Sequence, residues 1–180
     1  MNFDDYLRTV TKLYSDLDQS MELRKPATAT KLGQLEKKWG HRLPQGLRAA
    51  WRTTDGTDQN LFARPKYLTG YAFLSVADAL KERASFEKRA PRYAGWIEPK
   101  PRDRRIQPGW FHEGWLPFAS FFGSLVLLVD ASPAKPGKVG QIIAFTHDPD
   151  QMTYVAASFE ELLKKSLPWI RKHAYDLLAE

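Results

Sequence analysis

Leu125-Val-Leu-Leu-Val129 places five apolar residues in a row with no polar residue alternating between them. A strand with one wet face shows polar residues at every second position, whereas a strand buried on both faces reads as a continuous apolar run. The run is therefore expected to be a central strand. Lys135-Pro-Gly-Lys138 has turn chemistry, Gln141 to Thr146 reads as a second strand, Asp148-Pro-Asp150 as another turn, and Met152 to Ala156 as a third strand. Together these predict an antiparallel meander in the last third of the chain.

Helical signals surround it. Phe3, Tyr6, Leu7, Val10, Leu13, Tyr14 and Leu17 recur at the three-four spacing of an amphipathic helix. Leu32, Leu35 and Trp39 share a face of a second helix that Gly40 stops, and Leu47, Ala50 and Trp51 mark a third with Pro44 at its first position. Asp55-Gly56 closes that segment as a turn. Tyr67 to Leu74 is aromatic-rich and expected to be extended. Ser75-Val-Ala-Asp78 has the spacing of a capping box that opens a helix to about Ala90, and Ser158-Phe-Glu-Glu161 opens another. Leu162, Leu163 and Leu167 form the apolar face of the latter, and Pro168 is expected to kink it or to start a following helix ending near Leu178. Between Pro91 and Pro117, five prolines and three glycines forbid long regular elements while the aromatics argue against disorder, so this stretch reads as a packed, proline-stiffened insertion. The fold class is α+β, a small, mainly antiparallel sheet flanked by helices, and 180 residues suit a single domain.

The 180 residues include no cysteine, which excludes disulfides and thiolate metal sites. Met1 to Val10 carries two acids where a signal peptide would be basic and then apolar, and no apolar run approaches the roughly 20 residues of a membrane span. A cytoplasmic location, with no membrane contact, is expected.

Catalytic and metal-binding patterns are not evident. His41, His112, His147 and His173 lie too far apart for a helical metal pair, and His147-Asp148-Pro-Asp150 reads as a turn. Ser158 suits an N-cap and lacks the setting of a nucleophile elbow; Gly33, Gly40 and Gly46 lack phosphate-loop spacing. Asp130, at the end of a buried strand, reads as a turn acceptor in preference to a carboxylate facing a pocket beside the sheet. Trp39, Trp51 and Trp115 sit among apolar neighbours and are assigned to the core. No catalytic residue, cofactor or metal is expected.

One region stands apart. The chain carries a net charge of +6, and nine basic against five acidic residues between Lys81 and Glu113 leave four of those six charges there. Within it Arg89, Arg92, Arg102, Arg104 and Arg105 interleave with Tyr93, Trp96, Trp110 and Phe111. Arginines and aromatics are enriched at protein-interface hot spots, so Arg89, Arg92, Trp96, Arg102, Arg104, Arg105, Trp110 and Phe111 are the candidate partner-binding residues. Reversing Arg102, Arg104 and Arg105 to Glu is expected to abolish binding without unfolding. Nucleic acid is the weaker expectation, because Glu87, Glu98 and Asp103 in the same stretch would repel phosphates.

Three blocks of residues resemble the SUKH superfamily. Leu32, Leu35, Glu36, Gly40, Leu43, Pro44, Trp51, Asp55 and Gly56 stand in the order of its opening helix and turn. Trp115, Pro117 and Leu125 to Asp130, followed by Gly140, Gln141 and Ile142, resemble its second block; Ala156, Ser158, Phe159, Leu162 and Leu163 resemble its third. The resemblance covers about residues 32–167, leaving the helix at 3–18 and the helix end at 168–178 as extensions. Phe121-Phe122-Gly123 departs from it, standing where many members carry a Gly-rich turn with a polar residue. The resemblance implies a non-enzymatic binding role. Many bacterial members look like immunity proteins, implying here a cognate toxin with an acidic surface or active site as partner, while eukaryotic members resemble regulatory scaffolds.

Overall fold

A computed structural model of the chain describes residues 1–178. Among the described residues, six strands form one antiparallel sheet, each paired with its neighbours in sequence: β1 (Asn60–Ala63), β2 (Gly70–Phe73), β3 (Trp115–Phe121), β4 (Leu125–Asp130), β5 (Gln141–Thr146) and β6 (Gln151–Ala156). Helices α1 (Phe3–Ser15), α2 (Ala29–Trp39), α3 (Gln45–Thr53), α4 (Val76–Arg89), α5 (Phe159–Lys172) and α6 (Ala174–Leu178) surround it. This is the α+β arrangement expected, with a longer meander.

β4 lies between β3 and β5, and its alternating side chains enter two different cores. Leu127 and Val129 join the larger one, built with residues of α1, α2, α3 and α5, where Phe3, Tyr6, Phe62, Phe73, Phe118 and Phe159 pack ring against ring. Val126 and Leu128 join the smaller one, with Phe86 of α4, Ile106, Trp115, Ile143, Phe145 and Met152. The apolar run is continuous because both sheet faces are covered there.

The helix caps follow the sequence. Asn2, Thr28, Ser75 and Ser158 each accept a hydrogen bond from the backbone N–H three residues on, and Gly40 ends α2 at φ +83°. One strand was not foreseen and three expectations need correction. Asn60–Ala63 is a strand too short to stand out in the sequence. β3 begins at Trp115, so the irregular stretch ends at Gly114 rather than Pro117; the pairing register with β4 shifts between Pro117 and Ala119, and such a bulge tolerates a residue with no N–H to donate. Pro44 is the N-cap of α3, one position before the helix starts. Pro168 does not start the following helix: α5 runs through it to Lys172, with the proline ring on the exposed side, and the chain breaks at His173 before α6.

The outer strands are closed by side chains. At β1, the Tyr14 hydroxyl donates to the Asn60 carbonyl at 2.8 Å, the Tyr6 hydroxyl to the Leu61 carbonyl at 2.6 Å, and the Ala63 N–H to Ser166 Oγ at 2.8 Å. At β6, the Met152 N–H donates to Glu98 Oε2 at 2.9 Å and Lys165 Nζ donates to the Val155 carbonyl at 3.0 Å.

Candidate partner-binding surface

After α4 and a single 3-10 turn at Ala90–Tyr93, the segment to Gly114 crosses the face of the sheet that carries the smaller core. Ile106 is its buried plug, and Trp110 stacks on Tyr93 at 4.5 Å while presenting to Phe145 at 6.2 Å. Polar ties hold the backbone. Arg102 Nε donates to Glu98 Oε1 at 2.6 Å, and Arg102 Nη1 donates to the Gln107 carbonyl at 2.8 Å and to that of Gly109. Both partners of this ion pair are close to buried, at 13% and 12% exposure. Glu98 in turn binds the Met152 N–H, so one carboxylate fastens the segment both to itself and to β6. Arg105 lies 3.3 Å above the Tyr154 ring and pairs with Asp103, whose carboxyl its hydrogen bond holds below the usual range.

The eight candidate residues thus divide by what they touch. Arg89 pairs with Glu82 at 3.1 Å and covers the Phe86 ring; Phe111 lies under Arg83; with Arg102, Arg105 and Trp110 these residues fix the segment in place. Arg92 and Arg104 are exposed and have no ion-pair partner among the described residues. Trp96 is 48% exposed, its indole N–H donating to the Asp150 carbonyl at 3.0 Å, and Ile97 beside it is 86% exposed. Since Arg102 and Arg105 are structural ties, reversing them together with Arg104 would loosen the segment as well as change its charge.

Two clefts that the sequence did not reveal flank the β3–β4 turn. The first, about 640 Å³, has Asn60, Ala72 and Ser120 among its lining, with Asp78, Lys81 and Glu82 of α4 on one side and Arg24 and Asp58 on another. Arg24 bridges Asp58 at 2.5 Å and Asp78 at 3.2 Å, and hydrogen bonds from Ser75 first, then Arg24, hold the Asp78 carboxyl below its ordinary range. The second cleft, about 590 Å³, is lined by Arg89, Arg92, Tyr93, Ser124 and His147. Glu82, Ser85, Phe122 and Gly123 line both. Burial pushes the Glu82 carboxyl up, against the pull of Arg89. Arg89 and Arg92 are therefore the candidate residues that belong to a concave site.

Elsewhere the structural assignments hold. Asp130 is buried and accepts from the Ser132 N–H at 2.9 Å and from Gln141 Nε2 at 3.0 Å; burial raises its carboxyl above the ordinary value. Ser158 caps α5, His147 bonds to Asp150 across its turn, and Trp39, Trp51 and Trp115 are core residues. No helix among the described residues is long and apolar enough to cross a membrane.

A six-stranded antiparallel meander with helices around one core, a second small core beneath an irregular lid, and paired clefts at a hairpin turn define an α+β domain with a concave surface. The chain belongs to the SMI1 / KNR4 family (SUKH-1), whose profile matches residues 26–165 and so takes in everything from just before α2 to within α5. Among its relatives, the cell wall biosynthesis/cell cycle regulator smi1 of Schizosaccharomyces pombe is 27% identical over 150 residues, covering 76% of this chain and 29% of that protein. KNR4/SMI1 homolog 2 of Debaryomyces hansenii is 36% identical over 58 residues, covering 32% of this chain and 10% of that protein. The chain spans less than a third of the length of either.

Proposed function

We propose that the chain is a non-enzymatic, cytoplasmic protein that binds one partner protein with the face formed by the segment after α4 and the cleft beside it, and that this partner is a toxin which it neutralises. One observation carries the binding reading: Arg92, Trp96, Ile97 and Arg104 are left exposed on a segment whose backbone is tied down by the Glu98–Arg102–Met152 connections. A surface fixed before binding loses little conformational freedom on docking. Its local positive charge suits an acidic partner surface, where opposite charges speed encounter, and a seated domain would block an active site sterically.

A second reading, a regulatory module that holds a non-toxic partner, is favoured by the name of the fission-yeast relative as a cell wall biosynthesis and cell cycle regulator. Affinity capture with the tagged chain from lysate of its native host, followed by expression of the recovered protein, separates the two. A recovered protein that arrests growth alone and is harmless when co-expressed with this chain supports neutralisation. A harmless recovered partner supports regulation, and recovery of nothing but nucleic acid overturns both. Arg92→Glu with Arg104→Glu is expected to weaken the interaction at least about tenfold, since the two guanidinium groups lie on the proposed face and have no ion-pair partner among the described residues to lose.

A further inference from the structure

The turn between β3 and β4 is built against the preference of its own residues. Ser124 N–H donates to the Phe121 carbonyl at 3.0 Å, closing a β-turn at the tip of the hairpin, where Phe121 pairs with Leu125; the central residues of that turn, Phe122 and Gly123, have φ of +45° and +71°. A loop with two positive φ values takes Asn-Gly or Asp-Gly, because a bulky side chain is strained in the left-handed region. Phenylalanine occupies the first position instead, and its side chain gains no burial in return: Phe122 is 91% exposed, the most exposed of the chain's large apolar residues. Its ring meets that of Phe121 in a T-shaped pair, with centroids 4.9 Å apart. A residue that opposes both backbone preference and hydrophobic burial points to a function outside the folding of the chain.

Its position supplies the function. Phe122 stands at the ridge shared by the two clefts, with the groove over Asn60, Ala72 and Ser120 on one side and Arg92, Ser124 and His147 on the other. A partner surface laid across the ridge would take the ring into a socket and fill the clefts with its own protrusions. Of the charged groups around Phe122, Arg24 and Lys81 face Asp58 and Asp78, and Arg89 faces Glu82. Arg92 alone among those lining residues has no acidic partner among the described residues, so the unbalanced charge at the ridge is positive.

We propose that Phe122 is an anchor that inserts into an apolar socket of an acidic partner protein, with a carboxylate of that partner meeting Arg92. The proposal rests on the reading that the chain binds a protein, and it places the centre of the contact at the β3–β4 turn rather than at the segment after Gly95.

Phe122→Asn tests it, because the substitution suits the turn and removes only the ring. Two measurements are made on wild-type and variant chains: the urea midpoint of each, and the affinity of each, by calorimetry, for the purified protein that the wild-type tagged chain captures. The expected result is a midpoint that rises or stays level while affinity falls at least about 30-fold, the loss typical of a central interface residue. Unchanged affinity for the captured protein overturns the anchor while leaving the binding reading intact. A lowered midpoint shows that Phe122 supports the fold and also overturns it. Failure of the wild-type chain to capture any protein overturns both.

Discussion

Replacing Arg102 by Met keeps a long apolar stem beside Trp110 but deletes the guanidinium that binds Glu98 and two backbone carbonyls. Glu98 then remains close to buried with its charge uncompensated, retaining only the hydrogen bond from Met152. Removing one partner of a buried pair costs about 3–5 kcal/mol, and the slight exposure of both groups with the surviving Met152 bond places the expected loss near 3 kcal/mol. For a domain of this size that lowers Tm by about 6–12 °C. Adding Glu98→Gln removes the stranded charge yet keeps an acceptor for Met152, so the double variant should recover roughly half the loss. Urea unfolding followed by tryptophan fluorescence, with amide exchange at Met152, reads the effect. Opening of the segment alone would leave the urea midpoint in place and speed Met152 exchange on the order of 100-fold. A single variant within about 0.5 kcal/mol of wild type with Met152 exchange unchanged, or a double variant less stable than the single, refutes the clamp.

Tyr6→Phe removes a buried hydroxyl placed between the Leu61 carbonyl and Ser166 Oγ, leaving both without that partner; a loss of about 1–3 kcal/mol is expected in denaturant unfolding, and none would mean that the hydroxyl is not engaged. Asp130→Asn reports on pH. The Asp130 carboxyl titrates above its ordinary value in the folded chain because it is buried, so between those two values the folded state holds more protons than the unfolded state and stability declines as pH rises. The wild-type chain should therefore lose ground to Asp130→Asn in paired urea titrations as pH rises above the ordinary carboxylate range, and the opposite trend would show the carboxyl to be stabilised as an anion. Ser75→Ala should cost about 1 kcal/mol by thermal melting through loss of the α4 cap, with the Asp78 carboxyl also released towards its ordinary pKa.

The unbroken apolar run, the N-cap serines and the helical periodicities were legible in the sequence because each is a local pattern with one physical cause. β3 was not, since Pro117 reads as a breaker until the bulge opposite Leu128 is seen, and Asn60–Ala63 was not, since four residues are too few for a period. The candidate surface was legible only as a composition. Sequence marks Arg102 and Arg104 as equals, yet one is largely covered and paired with Glu98 while the other is exposed, a difference set by contacts that lie between residues and not within them. The clefts escaped for the same reason: residues 24, 58, 78, 122 and 147 meet only through the topology. Phe122-Gly123 did carry a signal, an aromatic residue where a hairpin turn wants Asn, which becomes readable once the two flanking strands are known.

Hydroxyls seal β1, and a carboxylate and an ammonium group attend β6. A sheet with free rims invites whatever extended chain drifts past, including another copy of itself, because main-chain groups discriminate poorly between sequences. Here that indiscriminate mode of adhesion is closed off at both rims, and the recognition proposed above is left to side chains. On the binding role proposed above, such a platform could change its partner by a few substitutions at a ridge or a lid without first having to solve the problem of sticking to everything else.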